Sequence, residues 1–426
     1  MLDIKRIREK ADEVRRGLRR KGADETLLDR AIALDERRRA LLTDVEGLKN
    51  ERNQASKEIG ALKKKGEDTA AAQQSVRDLG DRIQALDRDA REAETERDHA
   101  LLSLPNLPHE SVPDGLDASA NVTVRSWGEP RAFDFEPKHH VEIGENLGIF
   151  DFQRGAKMSG AGFPLLVGAG AKLQRALIRF MLDLHVEEHG YTEIYPPVLC
   201  HTASMTGTGQ LPKMADDMYG VRDEDLWLIP TAEVPVTNYF REEIVARPLP
   251  VYLTAHSLCF RREAGAAGKD TRGFIRVHQF DKVEMVKFVT PDTSYAELES
   301  LVGNAETVLQ RLGLPYRVLA LCAGDLSFAA AKCYDIELWA PGRQGWLEVS
   351  SCSAFEDFQA RRAGIRFRDA NGKTAFAHTL NGSGVALPRL MVAILENGQQ
   401  ADGSVALPEA IVPYMDGRAV LERREG

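Results

Sequence analysis

The stretch 258-LCFRREAGAAGKDTRGFIRVHQFDKVEMV-286 decides the fold. It opens as a strand at Leu258-Cys259-Phe260 and sets Arg261, Arg262 and Glu263 side by side. It then breaks into a segment carrying Gly265, Gly268 and Gly273, and resumes with period-two alternation through Glu284. Side chains of a strand point alternately to opposite faces. Arg261 and Glu263 therefore share a face, and Arg276, His278, Phe280, Lys282 and Glu284 share one on the second strand. Ile275, Val277, Val283 and Met285 form the opposite face and suit a core. A charged sheet face most often means cross-strand ion pairs in water. Two features ask for more than that. Phe280 is a large ring among charges, and the connection is long and glycine-rich where two residues would close a plain hairpin. A planar ligand bearing phosphates accounts for both, with arginine for the phosphate and a ring for stacking.

Outward from this pair, short strands recur with few helices between them: "DLWLIPT", "VYLTAHSLCFRRE", "CYDIELWAP" and "GWLEVSSCSAF". A helix with Leu173, Leu177, Phe180 and Leu184 on one face ends at Gly190 and is followed by the strand "YTEIYPP". No βαβ rhythm, GxGxxG or GxxxxGK[ST] is present. The expected core is an antiparallel sheet with flanking helices, in the α+β class.

The N-terminal quarter differs. The first 22 residues read as one helix capped by Asp3. Then Leu27, Ala31, Leu34, Arg38, Leu41, Val45, Leu48, Arg52, Ala55, Ile59 and Leu62 alternate in steps of four and three, a coiled-coil seam. "KKKGED" at 63–68 interrupts it. The seam resumes at Val76, Leu79, Ile83, Leu86, Ala90, Ala93, Arg97, Ala100 and Leu104. Two such arms predict an antiparallel hairpin whose arms, at about 36 residues each, are roughly 54 Å long. Arg38, Arg52 and Arg97 at seam positions are expected to reach outward and fix register. A coiled coil is often a dimerisation or spacer device, but a hairpin has already used its seam on itself and suits a distant partner better. Pro105, Pro108 and Pro113 mark a linker. The expected division is 1–104 for the arm, 105–120 for the linker and 121–426 for the sheet domain.

Composition bounds the rest. The 426 residues are 43% hydrophobic and 28% charged, with a formal net charge of −9, which argues against a protein that coats nucleic acid along its whole surface. Residues 1–104 carry 24 Lys+Arg against 23 Asp+Glu, so any nucleic-acid partner should lean on that part or on a local cleft. Cys200, Cys259, Cys322, Cys333 and Cys352 form no CxxC pair and no disulfide framework, which fits a reducing compartment. No apolar signal core or membrane-length run is seen, so a cytoplasmic protein is expected.

"FRREAGAAGKDTRGFIRVHQFDKVE" closely resembles the second signature motif of class II aminoacyl-tRNA synthetases, in the form of the seryl-tRNA synthetase family. "YTEIYPP" with its preceding helix resembles the first motif and "NGSGVALPRLMVAILEN" the third. "PTAE" at 230–233 resembles the serine-recognition loop, and "WLEVSSCSAFEDFQARR" the stretch between the second and third motifs. The helical hairpin resembles the tRNA-binding arm. The resemblance covers nearly the whole chain and implies a class II catalytic domain in a homodimer. The implied reaction is serine activation by ATP, then transfer to tRNA(Ser), and by the same resemblance tRNA(Sec). It implies no membrane or DNA partner.

The resemblance also implies roles. Arg261, Glu263 and Arg389 are the expected catalytic residues. Arg261 suits a phosphate because its fork is bidentate. Arg262, Val277, His278, Gln279, Phe280, Glu348, Val349, Ser350 and Ser351 complete the implied ATP site, with Glu263 accepting from the adenine amino group and Phe280 stacking on the base. Glu348 and Ser351 are the implied Mg2+ positions, oxygen donors that suit that ion; no zinc is expected. Thr231, Ala232, Glu233, Glu284, Asn381 and Ser383 join Arg261 around serine, with Glu233 as acceptor for the hydroxyl. His278 is expected to fix backbone within the ATP strand, and Cys333 and Cys352 to be core thiols. Three other readings stand beside this one. They are a related ligase that loads a small amino acid onto a carrier protein, a non-catalytic tRNA-binding paralogue, and a coiled-coil scaffold with an incidental globular domain.

Overall fold

The computed structural model describes residues 1–264 and 273–423. Gly265 and Gly268 of the opening stretch lie outside the described residues. The chain divides into two compact units, Met1–Pro105 and Asn106–Gly426.

The first unit is helical: α1 Ile4–Glu9, α2 Ala11–Arg20, α3 Thr26–Lys65 and α4 Ala70–Ser103. The single helix expected over the first 22 residues is thus two. Asp3 does cap the first, accepting from the Lys5 N–H at 2.8 Å. The break falls at Lys10, whose backbone leaves the helical region at φ −138°, ψ 41° while its N–H still closes onto the Arg6 carbonyl. Ile7, Val14 and Leu18 stay fully buried on either side of the break.

α3 and α4 pack along each other as the heptad spacing predicts, and every seam position is buried or half-buried. Gly66 turns the tip at φ 76°, where its N–H caps the Leu62 and Lys63 carbonyls. Arg97 departs from expectation. It turns inward, 9% exposed, and meets Asp35 of the facing helix at 3.4 Å. Asp35, 2% exposed, also holds Arg39 at 3.2 Å and Arg8 of α1 at 3.3 Å. A cation on the seam finds enough partners to be buried, since Asp98 at 2.7 Å and Glu94 at 3.4 Å join Asp35 around Arg97.

The second unit is built on an eight-stranded sheet: β1 Val122–Trp127, β2 Thr192–Glu193, β3 Val251–Phe260, β4 Gln279–Val289, β5 Tyr316–Ala320, β6 Lys332–Ala340, β7 Gly345–Glu356 and β8 His378–Ala386. Their order is β1-β5-β6-β7-β8-β4-β3-β2. All neighbours are antiparallel except β2, which runs parallel to β3. The helices of this unit are α5 His140–Asn146, α6 Phe152–Ser159, α7 Ala169–Glu187, α8 Thr202–Thr208, α9 Glu233–Thr237, α10 Ser294–Arg311, α11 Phe358–Ala363 and α12 Leu387–Gly398. The main core lies on one sheet face, where Leu173, Leu177 and Met181 of α7, Leu301 and Val308 of α10, and Leu390 and Ile394 of α12 meet Val283, Met285 and Ile336. α12 is apolar on nearly every side because Leu387–Glu396 is buried throughout, Arg389 alone excepted. The other face carries polar side chains at its centre. A second core formed by Ala232, Val236, Phe240, Val286 and Phe288 closes one end of it.

The strands of the opening stretch are shorter than the alternation predicts. β3 stops at Phe260 and β4 starts at Gln279. Beyond Phe260 the ladder keeps one rung, Arg261 N–H to the His278 carbonyl at 2.9 Å. The chain then turns to another partner. Asp217 takes the Arg262 N–H on its carbonyl at 2.9 Å and the Ala264 N–H on Oδ1 at 2.9 Å. Glu263, between them, sits at φ 51°, a left-handed conformation that ends any strand.

Candidate active site

The polar face of β4 forms the floor of a cleft of about 600 Å³. Pairing β4 with β8 sets Glu284 opposite Ser383, and pairing it with β3 sets Phe280 opposite Cys259. Phe280, Lys282 and Glu284 therefore face the cleft together, while Val283 and Met285 enter the core.

Glu284 organises one end. It is fully buried and accepts from the Thr231 hydroxyl at 2.8 Å and the Asn381 amide at 3.1 Å. Lys282 forms an ion pair with it and donates to Thr231 Oγ1 at 2.9 Å. Thr231 thus takes a proton donor from the lysine and passes its own to the carboxylate. Glu233 stands beside this group at the start of α9. Burial pushes its carboxyl up to about 7, and the nearby Glu284 charge adds to that, against hydrogen bonding from Gln359 and the cations Lys282 and Arg261.

Along the same floor, the Arg261 guanidinium lies 5.2 Å from the Phe280 ring centroid, and its Nε donates to the Pro230 carbonyl at 3.3 Å. Glu263 pairs with Arg276 at 3.0 Å. Arg389, third residue of α12, donates to the Ile275 carbonyl at 3.3 Å and the Glu348 carbonyl at 2.7 Å, with the Glu348 carboxylate at 3.5 Å. Glu348 and Ser351 are three residues apart, which in a regular strand would send them to opposite faces. A register shift at Val349 in β7 brings both into the cleft. Asp335, opposite Ser351 on β6, has its carboxyl pushed up by burial and by the Glu348 charge. Two carboxylates beside a hydroxyl make a hard oxygen donor set, which suits a small divalent cation.

Of the residues picked from the sequence, Thr231, Glu233, Arg261, Glu263, Val277, Phe280, Glu284, Glu348, Val349, Ser351, Asn381, Ser383 and Arg389 line this cleft. The others sit elsewhere. Ala232 is packed in the second core. The Ser350 hydroxyl donates to the Ser383 carbonyl at 2.7 Å behind the cleft wall. Arg262 is exposed and Gln279 lines a separate hollow with Gly155 and Phe163. His278 donates from Nδ1 to the Arg261 carbonyl at 3.0 Å, so it fixes backbone at the root of the arginine. Lys282, Gln210, Asp217, Asp335 and Gln359 were not singled out as site residues in the sequence. Lys282 shared a strand face with Glu284, the one signal that could have found it.

A group of His139, His140 and Glu396 lies close enough to hold a metal. His140 is already satisfied, with Nδ1 2.9 Å from Glu396 and Nε2 accepting the Phe274 N–H at 3.3 Å, so the group reads as a structural anchor. All five cysteines are free and buried. Among the described residues no helix is long and apolar enough to cross a membrane.

Comparison with known proteins gives two family matches. Residues 1–108 match the seryl-tRNA synthetase N-terminal domain, and residues 219–398 match the tRNA synthetase class II core domain (G, H, P, S and T). The serine–tRNA ligase of Geobacillus kaustophilus is 56% identical over 99% of this chain and 100% of its own. Among solved structures, seryl-tRNA synthetase from Pyrococcus horikoshii complexed with ATP superposes with a TM-score of 0.95 at 40% identity, covering 100% of both chains. Cytoplasmic serine–tRNA ligase from Naegleria fowleri in complex with AMP gives 0.90 at 30% identity, covering 100% of this chain and 99% of that one.

Proposed function

The chain belongs to the seryl-tRNA synthetase family, and from that premise we propose how its cleft divides the work. The reaction is the ATP-dependent ligation of serine to tRNA(Ser). The serine carboxylate attacks the α-phosphate, pyrophosphate leaves, and the seryl group then passes from the adenylate to tRNA. We extend the same reading to the serine charging of tRNA(Sec).

The observation that carries the proposal is that one cleft holds carboxylates, Glu233 and Glu284, together with arginines, Arg261 and Arg389, and an aromatic ring, Phe280. A zwitterionic amino acid needs the first and a nucleoside triphosphate the second. Glu284, with Thr231, receives the ammonium group, and Glu233 accepts from the hydroxyl. Arg261 leaves the Phe280 ring to hold the α-phosphate, where charge develops in the transition state. Phe280 stacks on the adenine and Glu263 accepts from its amino group. Arg389, on the rim formed by Ile275 and Glu348, meets the outer phosphates.

Glu348, Ser351 and Asp335 would hold Mg2+. Bound there, it would supply positive charge to offset the charge that builds on the leaving pyrophosphate. We assign the homodimer contact to α7 and the segment through Pro197 that follows it, where Val186 and Tyr195 are exposed hydrophobics, Tyr195 at 90%. The first unit serves as the tRNA-binding arm, and residues 121–426 hold the catalytic domain. Serine-dependent ATP–pyrophosphate exchange, followed by charging of tRNA(Ser), tests this reading. Exchange without charging would favour the carrier-loading alternative, and absence of both would favour a non-catalytic paralogue.

A further inference from the structure

Gln359 on α11 is fully buried and stands behind the cleft wall, outside all three signature motifs. Its amide nitrogen donates to Glu233 Oε1 at 2.6 Å and to the Thr208 carbonyl at 3.2 Å. Its amide oxygen accepts from the Thr379 hydroxyl at 2.7 Å. The orientation is forced. The Thr208 carbonyl can only accept, so the nitrogen must face it, and the oxygen is left to Thr379. Both N–H groups of Gln359 are consumed, one of them on Glu233.

The other oxygen of Glu233 faces a second arrangement of the same kind. Gln210 Nε2 lies 3.4 Å from Glu233 Oε2. The Gln210 amide oxygen accepts from the Thr208 hydroxyl, which turns its nitrogen toward the carboxylate. Two threonine–glutamine pairs thus present donors to both oxygens of one buried acid. The bond on Oε1 is short and comes from outside the cleft. The bond on Oε2 is long and comes from Gln210, which lines the cleft. Oε1 is committed to the scaffold and Oε2 is available to a ligand.

We propose that Gln359, oriented by Thr379, is a positioning residue that holds Glu233 with Oε2 presented as acceptor to the hydroxyl of the bound amino acid, and so sets the preference for serine over alanine. This rests on the reading of Glu233 as the hydroxyl acceptor. Without a donor on Oε1, Glu233 can rotate or take up a proton, and a protonated carboxyl no longer offers two acceptors. A pocket that fails to present its acceptor loses what it gained from a substrate hydroxyl. The charged groups facing Glu233 are Glu284 and Lys282 from β4 and Arg261 from the end of β3. None of them is altered by changing Gln359 or Thr379.

The test uses the full-length protein with Gln359→Met, Thr379→Val and Glu233→Ala, assayed by pyrophosphate exchange with serine and with alanine. Gln359→Met should raise the serine KM roughly tenfold or more, as expected for loss of a hydrogen bond to a charged group. It should lower the serine/alanine ratio similarly and leave the ATP KM within about twofold. Thr379→Val changes no group that touches Glu233, yet it frees the amide to turn, so it should act in the same direction and more weakly. In both variants the pH midpoint of kcat/KM for serine should move upward, since the lost donor favoured the ionised carboxylate. A folded Gln359→Met with the wild-type serine KM and ratio, beside a Glu233→Ala that has lost discrimination, overturns the proposal and leaves Glu233 in its role. A Glu233→Ala that still prefers serine as strongly as wild type overturns the role of Glu233 and the proposal with it. If Gln359→Met does not fold, Thr379→Val decides by the same two readouts.

Discussion

Glu396 Oε1 lies 2.9 Å from Nδ1 of His140, with both side chains fully buried. Glu396 comes from the last turn of α12 and His140 opens α5. The same oxygen also accepts the His140 N–H at 3.0 Å, and Oε2 accepts the Gly342 N–H at 3.0 Å. The imidazole passes the contact on to the Phe274 N–H. One residue further, the Ile275 carbonyl carries Arg389 from the first turn of α12. The helix therefore grips the return of the motif-two segment at both ends, through an arginine and through a histidine.

His140→Ala should break the inner grip. It leaves a buried carboxylate short of a donor and should cost about 2–4 kcal/mol of stability. The ATP KM should rise more than the serine KM, because Arg389 shares the displaced segment. Thermal unfolding and the two KM values check this; equal changes in both constants would place the anchor outside the nucleotide site.

Arg261→Ala should abolish serine-dependent pyrophosphate exchange while the fold survives, since its side chain is half-buried at the cleft and its removal leaves no cavity in the core. A folded variant with near-normal exchange would sink the assignment of Arg261 to the α-phosphate.

Glu233 makes stability depend on pH with a defined sign. Its carboxyl is raised in the folded state from 4.5 to about 7, so folding takes up a proton between those values. The folded form loses ground as pH rises through that window, by roughly 3–4 kcal/mol at most. Glu233→Gln should gain on wild type across the same window in denaturant titrations. Parallel curves would mean that Glu233 titrates normally.

Deleting residues 30–100 with a short bridging loop should spare pyrophosphate exchange and destroy tRNA charging. α3 and α4 bury their seam against each other, so the second unit keeps its own core. Binding of tRNA to the intact arm through phosphate contacts should weaken as salt rises. Loss of both activities in a folded deletion would show that the arm supports the catalytic unit, and retention of both would remove it from tRNA recognition.

The heptads and strand alternation were legible because each has one period and one buried side. Ala31, Leu34, Ala90 and Ala100 follow from spacing alone, as do Val283 and Met285. Features that break a period were not legible. The shift at Val349 that brings Glu348 and Ser351 to one face adds a residue that no alternation reveals. Arg97 was expected to reach outward because the Asp35 that receives it is 62 residues away in sequence. Gln359 carries no signal of its own. A buried glutamine becomes meaningful only when the carboxylate, carbonyl and hydroxyl around it are known, and Glu233, Thr208 and Thr379 come from three separate segments.

Buried residues of the helical hairpin are densest toward its open end. Near its open end Leu28, Ala31, Leu34, Ala93, Ala100 and Leu101 are fully enclosed, and the Arg97–Asp35 pair sits among them. Toward the turn, Ala55, Ile59, Leu62 and Val76 are only half covered. Such a hairpin is tight at its open end and compliant at its turn. Amide exchange should be slowest around Leu34 and Ala93 and should quicken steadily toward Lys63, since local opening there breaks fewer apolar contacts. A hairpin built this way keeps its open end tight while its turn is free to adapt. Stiffening it with stronger apolar residues at Ala55 and Ile59 would trade that adaptability for stability.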